Sequence, residues 1–279
     1  LSILSTLPKL KCETQTRYLY LYQKKTRSIG LCRRRLFLNS KQTNMFSYYG
    51  SKSKIVNYYP PPKHKLIIEP FAGSARYSLK YWRNDILLVD KYPVVIEVWK
   101  YLQQCTPADI LKLPKPLIGD DLRKYEQLSE IEKKFMGFMV QAAQGKPANT
   151  VTKMSAFYAN ASDIREQIAG ELYKIKHWTI MQGCYKDVPN NAGTWFIDPP
   201  YQYGGQHQYK FNNKSINFYH LADWCKSRNG QVIVCENTKA DWMPFKPMVE
   251  LQGAANTNTT EAIWSNIPTN YDNEQLTIF

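Results

Sequence analysis

The sequence contains no apolar run that approaches the roughly 20 residues needed to span a bilayer as a helix, so it predicts no transmembrane segment. Its six cysteines include no Cys-x-x-Cys pair, and its four histidines are scattered. Neither a zinc site nor a disulfide framework is therefore indicated, and no metal is expected. This use of cysteine fits a protein that works in a reducing cytosol.

Acidic residues are scarce at the start of the chain. Residues 1–44 contain ten Lys or Arg and one acid, Glu13, and so hold +9 of the formal net charge of +14. The rest of the chain carries only +5, which supports binding to nucleic acid less than the total suggests. Residues 1–44 also show no steady helical or strand period. We expect them to be a disordered basic extension, a leader without a role in the fold; the alternative is an arm that contacts DNA through Arg33–Arg35.

The functional interpretation depends on residues 195–201, which have the sequence Trp-Phe-Ile-Asp-Pro-Pro-Tyr. The apolar start predicts a buried strand, and the two prolines end it because neither has an N–H to donate to a sheet. Asp198 is therefore expected where a strand stops, which in open α/β sheets is the edge where ligands bind. The alternative is a strand that ends in an ordinary Pro-rich turn.

This arrangement suits alkylation of an exocyclic amine on a base. Such an amine is a poor nucleophile because its lone pair is delocalised into the ring. The Asp198 carboxylate and the Pro199 carbonyl can accept both N–H hydrogens, which holds the lone pair towards an electrophile. Tyr201 can stack on a base that has left the duplex. Asp198, Pro199 and Tyr201 are therefore the candidate catalytic residues.

A second buried strand with a similar ending is predicted at residues 66–74, Leu-Ile-Ile-Glu-Pro-Phe-Ala-Gly-Ser. Gly73 suits a tight turn that lets the backbone approach a cofactor. Together, Glu-Pro-Phe-Ala-Gly-Ser-Ala and Asp-Pro-Pro-Tyr resemble the motifs of the Dam-like N6-adenine DNA methyltransferases. The resemblance extends from about Met45 to the C terminus, and the middle of the chain contributes least to it.

The resemblance implies an α/β fold, a Rossmann-like S-adenosylmethionine-dependent methyltransferase sheet with a mainly helical inserted subdomain. Residues 45–102 and 178–279 would form the catalytic domain, and residues 103–177 the insert with the target-recognition region. The implied reaction moves a methyl group from S-adenosyl-L-methionine to the N6 amine of a flipped-out adenine in double-stranded DNA. A monomeric enzyme is expected, in the cytosol of a bacterium or of a viral host, either with a restriction partner or alone.

The resemblance also assigns cofactor-binding residues. Residues 45–56 are similar to the family's N-terminal cofactor motif, in which Tyr48 would pack on the cofactor and Lys52 would pair with its methionyl carboxylate. Asp90 ends a predicted strand at residues 85–90 and is expected to accept hydrogen bonds from ribose hydroxyls, or alternatively to cap the next helix. The predicted set is Tyr48, Lys52, Glu69, Pro70, Phe71, Ala72, Gly73, Asp90 and Asp198.

Other segments carry weaker signals. A helix is predicted at residues 121–140, followed by a polar loop at 141–153 that either faces DNA or is a plain surface loop. Residues 202–211 predict a mobile loop beside Asp198. Methylation of RNA, or of another planar amine, by the same site remains open. A catalytically inactive DNA-binding module is disfavoured because Asp198 and Tyr201 are both present.

Overall fold

A computed structural model describes residues 44–141, 144–153, 164–204, 208–252 and 258–272. Seven strands form one sheet in the order β3-β2-β1-β4-β5-β7-β6. The first five strands are parallel, and β7 runs antiparallel between β5 and β6. The strands are β1 (Leu66–Glu69), β2 (Asp85–Asp90), β3 (Thr179–Gln182), β4 (Gly193–Ile197), β5 (Gly230–Asn237), β6 (Lys246–Gln252) and β7 (Asn258–Ser265). The predicted extension, residues 1–44, lies outside the described residues apart from Asn44.

Helices connect the strands, which makes the chain an α/β protein with a mixed sheet. The first five α-helices contribute to one apolar cluster and the sixth to a second cluster. The α-helices are α1 (Arg76–Lys80), α2 (Pro93–Gln104), α3 (Pro107–Lys112), α4 (Glu130–Val140), α5 (Ile164–Glu171) and α6 (Phe218–Lys226). Among the described residues, no helix is long and apolar enough to cross a membrane.

The central strands are buried on both faces. Ile67 of β1 belongs to the first cluster, while the next residue, Ile68, belongs to the second. In β4, Phe196 likewise packs in the first cluster, whereas Trp195 and Ile197 pack in the second. Successive side chains of a strand point to opposite faces, so a continuous apolar run is what a strand covered on both sides requires.

The strand order reverses between β1 and β4. From β1 the chain adds β2 and β3 on one side, and it then returns to pair β4 with the other side of β1. At such a reversal, a crevice opens at the carboxyl ends of the strands. Residues 70–73 and 198–201, which follow β1 and β4, lie at this edge.

The predicted insert, residues 103–177, contributes helices that pack on the sheet. Phe135 and Phe138 of α4 are fully buried in the same apolar cluster as Ile67 of β1. Phe138 also contacts the rings of Phe46 and Tyr48. The insert therefore shares its core with the sheet and packs against the segment that contains Phe46 and Tyr48.

One sequence prediction for secondary structure was wrong, and one strand was missed. The helix expected at residues 121–140 is a short 3₁₀ turn (Leu122–Lys124) followed by α4, which begins only after Ser129. The side chains of Ser129 and Glu132 form a capping box that fixes this start. The sequence interpretation also missed β6, which contains Pro247. A proline is tolerated there because β6 lies at the edge of the sheet, beside a register shift between Pro247 and Val249.

Replacing Phe196 with alanine should destabilise the protein by about 3–5 kcal/mol, because a large buried ring is lost from the centre of the sheet. The Phe196 ring stacks on Tyr77 with 4.3 Å between ring centroids and meets Tyr59 edge-on at 4.9 Å. Urea denaturation would measure the change. As a control, Tyr219→Ala removes a ring that is 84% exposed, and the free energy of unfolding should change by at most about 0.5 kcal/mol. An equal loss of unfolding free energy in both variants would contradict the expected packing of Phe196.

Candidate functional site

A cavity of about 900 Å³, including its open mouth, lies at the carboxyl ends of β1, β2 and β4. All the residues predicted to bind the cofactor line this one cavity. They are Tyr48, Lys52, Glu69, Pro70, Phe71, Ala72, Gly73, Asp90 and Asp198. The structure therefore brings together residues that are spread over some 150 positions of the chain.

The turn after β1 shapes the wall of the cavity. Gly73 has a φ of +44°, and a Cβ atom there would lie 3.1 Å from the Tyr48 ring. The Gly73 N–H donates a hydrogen bond of 3.0 Å to Oδ2 of Asp90, and its carbonyl accepts one of 2.9 Å from the Trp99 indole. Glycine suits this position because a side chain would be strained at this φ and would crowd the Tyr48 ring.

Asp90 holds two backbone groups at the end of β2. In addition to Gly73, the N–H of Tyr92 donates to Oδ1 of Asp90 at 2.8 Å. The N-cap of α2 is Tyr92, and α2 begins with Pro93. The alternative expectation that Asp90 is this N-cap was therefore wrong. Burial raises the pKa of Asp90 to about 6, and the two backbone N–H groups oppose that rise.

Glu69 is a buried carboxyl group beside the cavity. Its side chain accepts a hydrogen bond of 2.7 Å from the Ser78 N–H at the start of the following helix. Burial raises its pKa to about 8, because a single hydrogen-bonded backbone group does not replace the lost solvation of a carboxylate. Glu69 is therefore mainly protonated at neutral pH.

A second cavity adjoins the first. Its lining includes Tyr201, Tyr203, Asn237 and Glu261, whereas Asp198 lines only the first cavity. Five residues line both cavities and form their common wall: Tyr49, Gly50, Ser51, Lys52 and Tyr209. Two of the predicted catalytic residues thus lie on opposite sides of one wall.

Lys52 connects the two sides of this wall. Its ammonium lies 2.9 Å from Oδ1 of Asp198, donates to the Tyr201 hydroxyl at 2.6 Å, and lies 3.5 Å from Oε1 of Glu261. Burial alone would lower the pKa of Lys52, but the Asp198 and Glu261 carboxylates outweigh it and raise that pKa above its usual value. The ammonium thus has two carboxylates and one hydroxyl as protein neighbours, and its pairing with a cofactor carboxylate stays a prediction.

The surroundings of Asp198 shift its pKa. Burial raises its pKa to about 6; the Lys52 ammonium opposes that rise, and the nearby Glu261 and Glu236 carboxylates add to it. Pro199 is buried and lines neither cavity, whereas Pro200 lines the first. The carboxylate of Asp198 is therefore the better-placed acceptor of the predicted pair.

Glu261 is the main residue that the sequence interpretation missed. It lies on β7, is 6% exposed, and its Oε1 accepts hydrogen bonds from the hydroxyls of Tyr59, at 2.6 Å, and Tyr201. No motif in the sequence marked Glu261, because its partners are 60 or more residues away in sequence.

The polar loop predicted to face DNA begins inside the protein. Gln141 is 1% exposed, and its amide nitrogen donates to the Ser47 carbonyl at 2.6 Å. Gly145 is also buried, and its N–H donates to the Gln208 carbonyl at 3.1 Å. The start of the loop therefore ties the segment before Lys52 to the segment after Tyr201; residues 142–143 and 205–207 lie outside the described residues.

Within the described ranges, no three His, Cys, Asp or Glu side chains are grouped as a metal site would require. The chain matches no protein-family model, and no curated protein is similar to it at a significant level.

Replacing Glu69 with glutamine should stabilise the protein increasingly as the pH rises. The folded-state pKa of Glu69, about 8, lies above its unfolded value of 4.5, so the penalty for burying it is absent below about pH 4.5 and is complete above about pH 8. Between these limits the wild type should lose up to about 1.4 kcal/mol per pH unit relative to Glu69→Gln. Urea denaturation at several pH values would measure this difference.

The control for that experiment is Glu126→Gln, which removes one carboxyl group from an exposed turn position. A difference between wild type and Glu69→Gln that stays constant between about pH 5 and about pH 8 would show that Glu69 is not protonated in the folded protein.

Proposed function

We propose that this protein transfers a methyl group from S-adenosyl-L-methionine to the N6 amine of an adenine in DNA. The observation that carries the proposal is the placement of the Asp-Pro-Pro-Tyr segment. Asp198 lines one cavity, Tyr201 lines the next, and Lys52 contacts both residues. Such a pair of joined cavities suits a donor molecule and an acceptor base that must meet at one carboxylate.

The topology is consistent with this proposal. Five parallel strands in the order 3-2-1-4-5, extended by an antiparallel strand inserted before the edge strand, resemble the Rossmann-like sheet expected of such methyltransferases. The Glu-Pro-Phe-Ala-Gly turn follows β1 and the Asp-Pro-Pro-Tyr turn follows β4, on either side of the strand reversal. Fold alone does not define function, so the proposal rests on the residues of the two cavities.

The first cavity has groups that match the parts of S-adenosylmethionine. Asp90 would accept hydrogen bonds from the ribose hydroxyls, since each of its oxygens carries only one backbone donor and retains a lone pair. Glu69 would face the ammonium of the methionine portion, and Tyr48 and the missing side chain of Gly73 would leave a flat wall for the adenosine. When bound, the cofactor supplies an electrophilic methyl group.

Asp198 would act on the acceptor amine. At neutral pH a carboxyl group with a pKa of about 6 is mainly ionised, so it can accept an amine hydrogen and direct the nitrogen lone pair towards the methyl carbon. As the nitrogen–carbon bond forms and the sulfur–carbon bond breaks, the amine must lose one proton. Asp198 is the base nearest to receive it. This direct route requires no cysteine nucleophile.

Tyr201 would stack on the extruded base. Its hydroxyl is fixed by Lys52 and Glu261, and the Lys52 ammonium lies 4.5 Å from the centroid of its ring. One face of the ring is therefore covered by Lys52, and only the opposite face can meet a base. Stacking on an aromatic face contributes about 1–3 kcal/mol per base, which offsets part of the unstacking cost of base flipping.

Double-stranded DNA is the proposed substrate, and a monomeric enzyme in the cytosol the proposed form, with or without a restriction partner. Structured RNA is the second candidate substrate, because the site chemistry requires only an exocyclic amine on an unstacked base. The mild charge of +5 on residues 45–279 favours neither polymer.

Asp198→Asn, measured on folded variant protein, should lose most of the methyl transfer, because a neutral amide can neither accept the proton nor stabilise the developing positive charge. Loss of one preorganised electrostatic group costs about 10²- to 10³-fold in rate. Transfer of labelled methyl groups to duplex DNA, with mass spectrometry of the digested nucleosides, would measure the rate and identify N6-methyladenine. The matched control is Asp223→Asn, an exposed acid on α6.

The same assay separates the rival substrates. Labelling of structured RNA, but not of duplex DNA, by the wild type would replace DNA with RNA in the proposal. Near-normal labelling by Asp198→Asn would contradict the role of Asp198 with either polymer.

Asp90→Asn should weaken binding of S-adenosylmethionine by about tenfold or more, since one carboxylate hydrogen bond to a hydroxyl contributes about 1.5–3 kcal/mol. Calorimetric titration of the folded variant would measure the dissociation constant. Asp85→Asn, at the opposite end of the same strand, is the control, and its side chain is exposed. Equal affinity for all three proteins would remove Asp90 from the cofactor site.

A further inference from the structure

We propose that Glu261 is a positioning residue of this site, which fixes the Lys52 ammonium and the Tyr201 hydroxyl and sets the charge around Asp198. The inference rests on the proposed function for its rate measurements. It concerns a residue on the antiparallel strand, outside the two sequence motifs, that lines the second cavity and acts through Lys52 and Tyr201.

The antiparallel direction of β7 brings Glu261 to the edge of the sheet where the two cavities lie. Glu261 pairs with Asn237, the last residue of β5, so it lies at the end of the sheet where β1 and β4 also finish. A parallel strand would present its final residues there, whereas β7 presents residues from its first half. Glu261 can therefore lie beside Lys52 and Tyr201 although β7 itself does not end there.

One oxygen of Glu261 collects several contacts. Oε1 accepts hydrogen bonds from the hydroxyls of Tyr59 and Tyr201, and the Lys52 ammonium lies 3.5 Å from the same oxygen. Tyr201 thus donates to Glu261 and accepts from Lys52, which fixes the direction of its hydroxyl. Because the hydroxyl is held from both sides, the position of the Tyr201 oxygen is fixed.

The charges around Lys52 are unequal. Two carboxylates, Asp198 and Glu261, share a single ammonium, so the group has a net charge of −1 when all three are ionised. Other titratable groups also face it: the hydroxyls of Tyr59, Tyr201 and Tyr209, the thiol of Cys235, and the carboxylate of Glu236 on β5. Loss of the Glu261 charge would leave Lys52 to Asp198 alone.

Glu236 provides a contrast with Glu261. It is fully buried on β5, and its oxygens accept backbone N–H groups from Gln202 and Asn237 as well as the Trp242 indole. Glu236 therefore holds the backbone after Tyr201, whereas Glu261 holds side chains that face the cavities. Of these two glutamates, Glu261 is the one that contacts the Lys52 ammonium.

The test is Glu261→Gln, which keeps the shape of the side chain and removes its charge. We expect the plateau methylation rate to fall by about 10²-fold, as for a catalytic group displaced by about 1 Å. We also expect the acid limb of the pH–rate profile to move to lower pH. Without the negative charge of Glu261 nearby, Asp198 ionises more readily. Cofactor affinity should change less than the rate, because Glu261 does not line the first cavity and acts there only through Lys52.

Two further variants separate charge from shape. Glu261→Asp keeps the charge but shortens the side chain, so its acid limb should stay near the wild-type position while its plateau rate is reduced. Tyr59→Phe removes one donor to the same oxygen without changing any charge, and its acid limb should also stay in place. Glu250→Gln, an exposed acid on the neighbouring strand β6, is the matched control for loss of one carboxylate.

A measurement without substrate tests the contact itself. In the ¹⁵N-labelled wild-type protein, the Lys52 ammonium should give a side-chain NMR signal that exchanges slowly with water, assigned by its absence in Lys52→Arg. Exchange should be faster in Glu261→Gln and unchanged in Glu250→Gln. If the wild type methylates no DNA or RNA, the proposed function fails, and this signal alone decides whether Glu261 restrains Lys52.

The inference is overturned if Glu261→Gln loses rate with no shift of the acid limb, since that result indicates a structural role only. It is also overturned if Glu261→Gln keeps the wild-type rate, or if exchange of the Lys52 ammonium does not change. Should Glu261→Gln not fold, the limb positions of Glu261→Asp and Tyr59→Phe decide, because both are expected to match the wild type.

Discussion

The buried ammonium of Lys52 is the interaction on which the candidate site depends. Lys52 is only 7% exposed and lies between the carboxylates of Asp198, which follows β4, and Glu261 on β7. Moving one such ion out of water costs several kcal/mol even after relaxation, and mutual attraction offsets this cost only when every partner is in place. Removal of one partner typically costs about 3–5 kcal/mol. Each of the three charged groups is therefore stable in its position only because the other two are present.

The sheet topology makes this meeting of charges possible. Lys52 precedes the first strand, Asp198 follows β4, and Glu261 lies on β7, so the three residues come from distant parts of the chain. The strand reversal sets the ends of β1 and β4 side by side, and the antiparallel β7 returns to the same edge. Few of these contacts are local, so the site can form only when the central sheet is complete.

The local features of the fold could be predicted from the sequence, and the long-range partners could not. Residues 66–69, 85–90 and 193–197 are strands because short apolar, β-branched runs ended by Gly, Pro or acidic residues have few other stable conformations. The grouping of Gly73 with Asp90 was expected from the resemblance to the methyltransferase motifs. The protein partners of Lys52 could not be predicted, because Asp198 and Glu261 lie 146 and 209 positions later in the sequence. The edge strand β6 was hidden by Pro247, which is tolerated only in a neighbourhood that the sequence does not specify.

The shared wall of the two cavities would link the binding of any two molecules that enter them. Tyr49, Gly50, Ser51, Lys52 and Tyr209 contribute atoms to both sides, so a molecule on one side that shifts or orders these residues changes the surface offered to a molecule on the other. Any such effect must be reciprocal, because the free energy of binding both molecules does not depend on which enters first. Each molecule would change the affinity for the other by the same factor. The five residues of the shared wall are where the two cavities meet, and so where this coupling would arise.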